Sequence, residues 1–218
     1  MKGLAKYTER VFRSLSTLSC LKDYTLIGGT ALALQINKRK SEDFDFCIWS
    51  KNLKKDKPKV DWPVIEKELE SVGKLSSRDV LGFDQVNFIL DGVRISFITK
   101  QTNLSPVIKP VVILNNISAA DITAIGAMKI ELILRRNEFK DYYDIYSILQ
   151  EGKSLKELVL SASKYSNYRL KTRDALNFLS NGNNFRKEKS FNLLDPVYDI
   201  DHKGIEDYIR SIIIKEFI

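Results

Sequence analysis

The chain has 218 residues, a formal net charge of +7, 44% hydrophobic residues and 29% charged residues, which is the composition of an ordinary folded protein able to bury a core. Its two cysteines, Cys20 and Cys47, form no Cys-x-x-Cys pair and no disulfide framework, and its single histidine, His202, rules out a His-rich metal site and argues against a Ser-His-Asp triad. The positive balance favours a polyanionic partner such as nucleic acid or nucleotide phosphate, while the absence of a signal-type opening or a bilayer-length apolar run leads us to expect a cytoplasmic protein with no membrane partner.

In chain order, "GLAKYTERVFRSLSTLSCLKD" carries Leu4, Tyr7, Val11, Phe12, Leu15 and Leu18 at helical spacing, and predicts one helix. "YTLIGG" reads as a short buried strand ending in glycines. "TALALQINKR" reads as a helix capped by Thr30, and "DFDFCIW" as an alternating strand. The lysines at 51, 54, 55, 57 and 59 mark a solvated loop. "DWPVIEKELESVG" predicts a helix that Gly73 stops. "VLGFDQVNFIL" and "VRISFI" flank Asp91-Gly92, a hairpin signal, and "PVVIL" is a further strand. From Ile117 onward the pattern is helical, through "SAADITAIGAMKIELILRR", "FKDYYDIYSILQEG", "SLKELVLSASKY", "LKTRDALNFLS" and "KGIEDYIRSIIIKEFI", with "SNGNNFRKEKS" as a loop. His202 lies near the start of the last helix and reads as a surface residue. Mixed strands and helices followed by helices alone predict an α+β fold with an appended helical part, the change falling between residues 117 and 152.

Two stretches carry chemistry. In Gly28-Gly29-Thr30 the glycines let backbone N–H groups approach a phosphate, the following helix start adds unpaired donors, and the Thr30 hydroxyl adds one more. The same glycines also suit a plain strand-to-helix turn. Asp43 and Asp45, two residues apart on a strand, point to one face, where they repel unless a cation lies between them. Hard oxygen ligands of this kind suit Mg²⁺ together with substrate phosphates. Phe44 and Phe46 should then face the core.

"GGTALAL" and "RKSEDFDF", read as Arg-x-Ser-x-Asp-x-Asp, resemble the AbiEii/AbiGii toxin-type nucleotidyltransferases of the polymerase-β-like superfamily. The likeness continues in "KIELILRRNEFKDYYDIYSIL", where Lys129, Arg136, Lys140, Asp141 and Asp144 match at the family's spacings, so that it spans roughly residues 24–150. The resemblance implies a nucleotidyltransferase-like mixed sheet flanked by helices over residues 1–117 and a C-terminal helical bundle over 118–218. It implies Mg²⁺-dependent transfer of a nucleoside monophosphate from an NTP to a hydroxyl, with RNA such as tRNA as acceptor and an antitoxin protein as possible partner. Asp43 and Asp45 would hold metal. Gly28, Gly29, Thr30, Arg39 and Lys129 would bind nucleotide, and Lys129 and Asp144 would join the two aspartates in catalysis.

Read from residues alone, Lys129 either snorkels out of its apolar stretch or meets an anion. Asp141 suits the first turn of a helix, and Asp144 either pairs with Lys129 or Arg136 or reaches the active site. One departure from the superfamily stands out. The third carboxylate expected on "GVRISFI" is Ser96, which is a poor Mg²⁺ ligand, leaving Asp91, Asp141 or Asp144 to substitute, one metal to suffice, or binding without turnover. "KYSNYRLKTR" interleaves Tyr165 and Tyr168 with Lys164, Arg169, Lys171 and Arg173, either a solvated face or an RNA contact.

Overall fold

The structure is a computed structural model and describes residues 1–50, 59–101, 105–107, 109–133 and 135–218. Seven strands form one mixed sheet: β1 (Thr25–Ile27), β2 (Phe44–Ser50), β3 (Leu75–Val80), β4 (Gln85–Leu90), β5 (Val93–Gln101), β6 (Val111–Leu114) and β7 (Ile117–Ala119), in the spatial order β3-β4-β5-β2-β1-β7-β6. Around it, among the described residues, lie α1 (Lys6–Leu15), α2 (Gly28–Ile36), α3 (Trp62–Glu70), α4 (Ile122–Leu132), α5 (Phe139–Gln150), α6 (Leu155–Tyr165), α7 (Thr172–Leu179) and α8 (His202–Phe217).

The period of two in β2 sets the whole arrangement. Phe44 and Phe46 are fully buried on one face, where Phe44 meets Phe12 of α1 at 5.5 Å between ring centroids and Phe46 stacks on Phe97 of β5 at 5.6 Å. Asp43, just ahead of the strand, and Asp45 take the other face. β2 runs antiparallel to β1 and parallel to β5, so it lies inside the sheet with its acidic end fixed on both sides.

Three elements depart from the expected pattern. The first helix ends at Leu15 and does not continue to Asp23, because the Ser16 and Thr17 hydroxyls bond back to the carbonyls of Arg13 and Ser14, each at 2.8 Å, and compete with the helix ladder. β3 lay in a stretch with no strand signal. It is an edge strand exposed at nearly every position, so it has no inward face for alternation to mark. β7 occupies the start of the stretch expected to be helical. The helix waits for Asp121, whose carboxylate caps the Ala124 N–H at 2.9 Å, while Ile117–Ala119 pairs with β1. The Asp91-Gly92 turn is present, with both residues at positive φ and Leu90 opposite Val93.

α4 is buried from Ala124 to Glu131 and α5 from Phe139 to Leu149 apart from Lys140. A helix covered on all sides serves as an axis for its neighbours, and one hydrophobic cluster runs from Leu4 to Ile209 across both the sheet and the later helices. The turn between α4 and α5 thereby comes to border the same cleft as the acidic end of β2. No helix among the described residues is long and apolar enough to cross a membrane.

Candidate active site

The floor of the site follows from strand register. Ile27 of β1 lies opposite Asp45, Asp45 beside Ser96 of β5, and Ser96 opposite Asn87 of β4. Gly28 follows Ile27 with φ +73°, and a Cβ there would stand 3.0 Å from Asp45 Oδ2. A side chain at 28 would be strained by the backbone and crowded by the carboxylate. α2 begins at this glycine with no side-chain cap, so its first N–H groups and positive dipole end open beside Asp45. A cleft of about 890 Å³ lies over this floor, walled by Gly28, Gly29, Asp43, Asp45, Arg39 and Lys129 among others.

Thr30 borders this cleft, but its hydroxyl has partners within the protein. Its side chain is buried, and its hydroxyl bonds the Ser41 hydroxyl at 2.8 Å and the backbone carbonyl of Asp43. Its single proton goes to the Asp43 carbonyl, which can only accept, so in this structure Thr30 ties the start of α2 to the segment carrying the acidic pair.

Arg39, Lys129, Asp141 and Asp144 form a buried chain of ion pairs. Arg39 holds Asp144 through Nε and Nη2 at 2.7 and 2.8 Å. Lys129 Nζ bridges Asp144 Oδ2 at 2.7 Å and Asp141 Oδ1 at 2.6 Å. Arg136 closes the far end on Asp141 Oδ2 at 2.8 Å. Burial pushes both carboxyls up, but Lys129 and Arg136 hold Asp141 down at about 2, and Arg39 and Lys129 hold Asp144 below the usual range. Burial likewise opposes the charge on Lys129, which Asp141 and Asp144 outweigh. Three cations against two carboxylates leave one net positive charge at the cleft wall. Lys129 and Arg39 reach the cleft, whereas every oxygen of Asp141 and Asp144 is engaged by a cation.

Asp144 is ion-paired with Arg39 and Lys129, the geometry of the first of the two alternatives it offered in sequence. Neither it nor Asp141 presents a carboxylate oxygen without a cation partner to the cleft. Asp91 does not either, because it sits in the β4–β5 turn with Oδ1 accepting from the Lys74 N–H at 3.0 Å. Ser96 takes the position beside Asp45, and its hydroxyl bonds that carboxylate.

Asp45 is partly buried. Burial raises its pKa above the ordinary carboxylate value, the Ser96 hydroxyl and Arg94 oppose the rise, and Asp43 adds to it. A carboxylate left short of positive charge fits a cation. Among the described residues no cluster of three or more His, Cys, Asp or Glu could hold a metal, so a Mg²⁺ here would take two carboxylates and complete its shell with phosphate oxygens and water, its usual habit.

Sequence reasoning passed over Arg94, two residues before Ser96 on the same face. Its Nη2 lies 2.7 Å from Asp43 Oδ2, and the parity of β5 was the signal for it. It also passed over Lys100, whose Nζ donates to the Tyr165 hydroxyl at 2.8 Å at the other end of the cleft. Tyr168 is 61% exposed nearby in sequence, and Lys164, Arg169, Lys171 and Arg173 are exposed. His202 lies outside the cleft lining, at the start of α8. Of the lysine-rich loop, residues 51–58 fall outside the described residues, and Lys59 lies over the ring of Phe83.

Three comparisons bear on this geometry. A protein of Aquifex aeolicus (strain VF5), itself called uncharacterized, is 30% identical over 173 residues, covering 77% of this chain and 78% of its own. MenT4, a nucleotidyltransferase toxin of Mycobacterium tuberculosis H37Rv, is similar in fold with a TM-score of 0.58 at 17% identity, over 94% of this chain and 79% of that one. The family model described as nucleotidyl transferase AbiEii toxin, type IV toxin–antitoxin system, matches residues 10–203. The chain belongs to the AbiEii family of toxin-type nucleotidyltransferases.

Proposed function

We propose that this chain moves a nucleoside monophosphate from an NTP to a hydroxyl of an RNA acceptor, with tRNA as the first acceptor to try. The observation that carries the reading is the approach of Gly28, at the uncapped start of α2, to the Asp45 carboxylate on the floor of the cleft. A helix N-terminus receives terminal phosphates, and an acidic pair beside it receives the metal they bring.

Within this reading Gly28, Gly29 and the first turn of α2 grip the β- and γ-phosphates. Asp43 and Asp45 would hold Mg²⁺, which would offset charge on the triphosphate. Lys129 and Arg39 keep N–H groups beyond those given to Asp141 and Asp144, and these face the charge that gathers on the departing pyrophosphate. Phosphoryl transfer leaves little covalent work to the protein, so fixed cations are its main contribution. Lys100, Tyr165 and exposed Tyr168 supply charge and stacking faces for an RNA end. Family membership supports a cognate antitoxin as partner, and the two free cysteines suit a reducing cytoplasm.

The test is label transfer from each α-labelled NTP to total RNA with Mg²⁺, by the wild type and by Asp43→Asn with Asp45→Asn. We expect labelled tRNA from the wild type and none from the double variant; equal labelling by both would refute the assignment. Ser96 favours one rival reading, nucleotide binding without turnover. Saturable NTP binding with no label in any acceptor would select it.

A further inference from the structure

The position beside Asp45 that a third carboxylate would take is held by Ser96, and a positive charge stands close by on the same strand. Ser96 stands beside Asp45, and Arg94 precedes it by two residues on the same face of β5. The Arg94 guanidinium lies 2.7 Å from Asp43 Oδ2 and lines the cleft. Its side chain is 51% exposed and that of Asp43 44%, so this ion pair lies open to the cleft and is of the weak, solvent-screened kind.

The strand order says which side of the reaction Arg94 serves. β1, with Gly28 at its end, flanks β2 on one side, and β5 flanks it on the other. With the leaving phosphates at the Gly28 side, in-line displacement brings the attacking oxygen in over β5. A second divalent ion would stand there in a two-metal site. Losing one carboxylate and one divalent cation removes one net positive charge, and one guanidinium restores it.

Building on the transfer activity proposed above, we propose that Arg94 is a catalytic residue that replaces the second metal ion, so that the chain works with one divalent cation. Arg94 turns from Asp43 to the oxygens of the α-phosphoryl group on the acceptor side. The acceptor hydroxyl oxygen bonds to the α-phosphorus, and the bond from that phosphorus to the α–β bridging oxygen breaks. Pyrophosphate leaves with the electron pair, and the hydroxyl proton passes to water in the open cleft. The planar guanidinium meets two phosphoryl oxygens at once, which a lysine does not.

The test uses the full chain as wild type, Arg94→Met, Arg94→Lys, and Arg94→Met with Ser96→Asp. Mn²⁺ stoichiometry is read by electron paramagnetic resonance with a non-hydrolysable NTP, and label transfer is read separately. We expect one Mn²⁺ per wild-type chain and one in Arg94→Met. The Arg94→Met kcat should fall on the order of 100-fold or more with KM for NTP little changed, by analogy with removal of one transition-state donor. Added guanidinium should restore part of the Arg94→Met rate, and Arg94→Lys should fall between the two. Arg94→Met with Ser96→Asp should bind two Mn²⁺. Two Mn²⁺ in the wild type would overturn the inference. So would an Arg94→Met chain that binds Mn²⁺ more tightly and transfers at the wild-type rate, since Arg94 would then be only a resting counter-ion for Asp43. A wild type that labels no acceptor with any NTP would overturn the transfer activity itself, and this inference with it.

Discussion

Replacing Asp144 by Asn separates an anchoring role from a catalytic one. Asp144 is 2% exposed and accepts from Arg39 at 2.7 and 2.8 Å and from Lys129 at 2.7 Å. Asn keeps the shape but withdraws the negative charge and turns an amide N–H₂ towards a cation. Two buried cations then share Asp141 alone with Arg136. Breaking one partner of a buried pair costs about 3–5 kcal/mol, because the remaining charge stays desolvated. Against a typical domain stability of about 5–15 kcal/mol that is a large fraction. At about 2–4 °C per kcal/mol for a chain of this size, the midpoint should fall by on the order of 10 °C. Asp43→Asn provides the control. Its partner Arg94 is 51% exposed and Asp43 itself 44%, and such surface pairs contribute about 0–1 kcal/mol. Urea unfolding followed by circular dichroism should therefore show a large loss for Asp144→Asn and almost none for Asp43→Asn, with m unchanged in both. If Asp144→Asn keeps wild-type stability and loses transfer, Asp144 acts on the reaction and the anchoring argument is wrong.

Acid unfolding should carry a mark of Asp141. Its folded pKa is depressed from 3.8 to about 2, so its contribution of about 2 kcal/mol is present above 3.8 and disappears as pH falls towards 2; Asp141→Asn should lack this step in a pH series of unfolding midpoints. Asp45 has the opposite sign. Its folded pKa is raised, so the ionised form costs stability above that pKa, and Asp45→Asn should melt higher than the wild type at pH 7 without divalent cation. Mg²⁺ with an NTP analogue should raise the wild-type midpoint and leave that of Asp45→Asn unmoved in the same thermal scan. Gly28→Ala places a Cβ at φ +73° and 3.0 Å from Asp45 Oδ2, and should cost about 1–2 kcal/mol in unfolding and most of the transfer rate in the label assay.

What the sequence made legible was local. Parity in Asp43-Phe44-Asp45-Phe46 placed acids and rings on opposite faces, and the structure has them there. The Asp91-Gly92 hairpin was equally local. Ser96 was readable as a missing acid because β5 had a clear strand pattern. β3 was not readable, since an edge strand exposed at nearly every position shows no period, and β7 was hidden because Ile117–Ala119 runs directly into a helical pattern. The partners of the Thr30 hydroxyl were not legible for another reason. A hydroxyl at a helix start is as fit for a protein carbonyl as for a phosphate, and only the fold brings Asp43 O within its reach.

The same limit explains Lys129, and physics shows why its neighbours had to be as they are. A lysine 3% exposed within α4 cannot stay charged alone, since burial opposes the ammonium. One carboxylate would neutralise it and leave the cleft wall without charge. Here Lys129 bridges Asp141 and Asp144, each carboxylate is shared by two cations, and the group retains one positive charge towards the cleft. Arg39 comes from the segment before the acidic pair, while Lys129 and Asp144 come from the helices of the second half. The ion pairs thus fix the helical hairpin to the segment that leads through Asp43 into β2. We expect Arg39→Ala to disturb both a cation of the cleft wall and the position of the acidic pair. Separate loss of those two effects would require the chain to move as two independent halves, which the continuous cluster from Leu4 to Ile209 opposes.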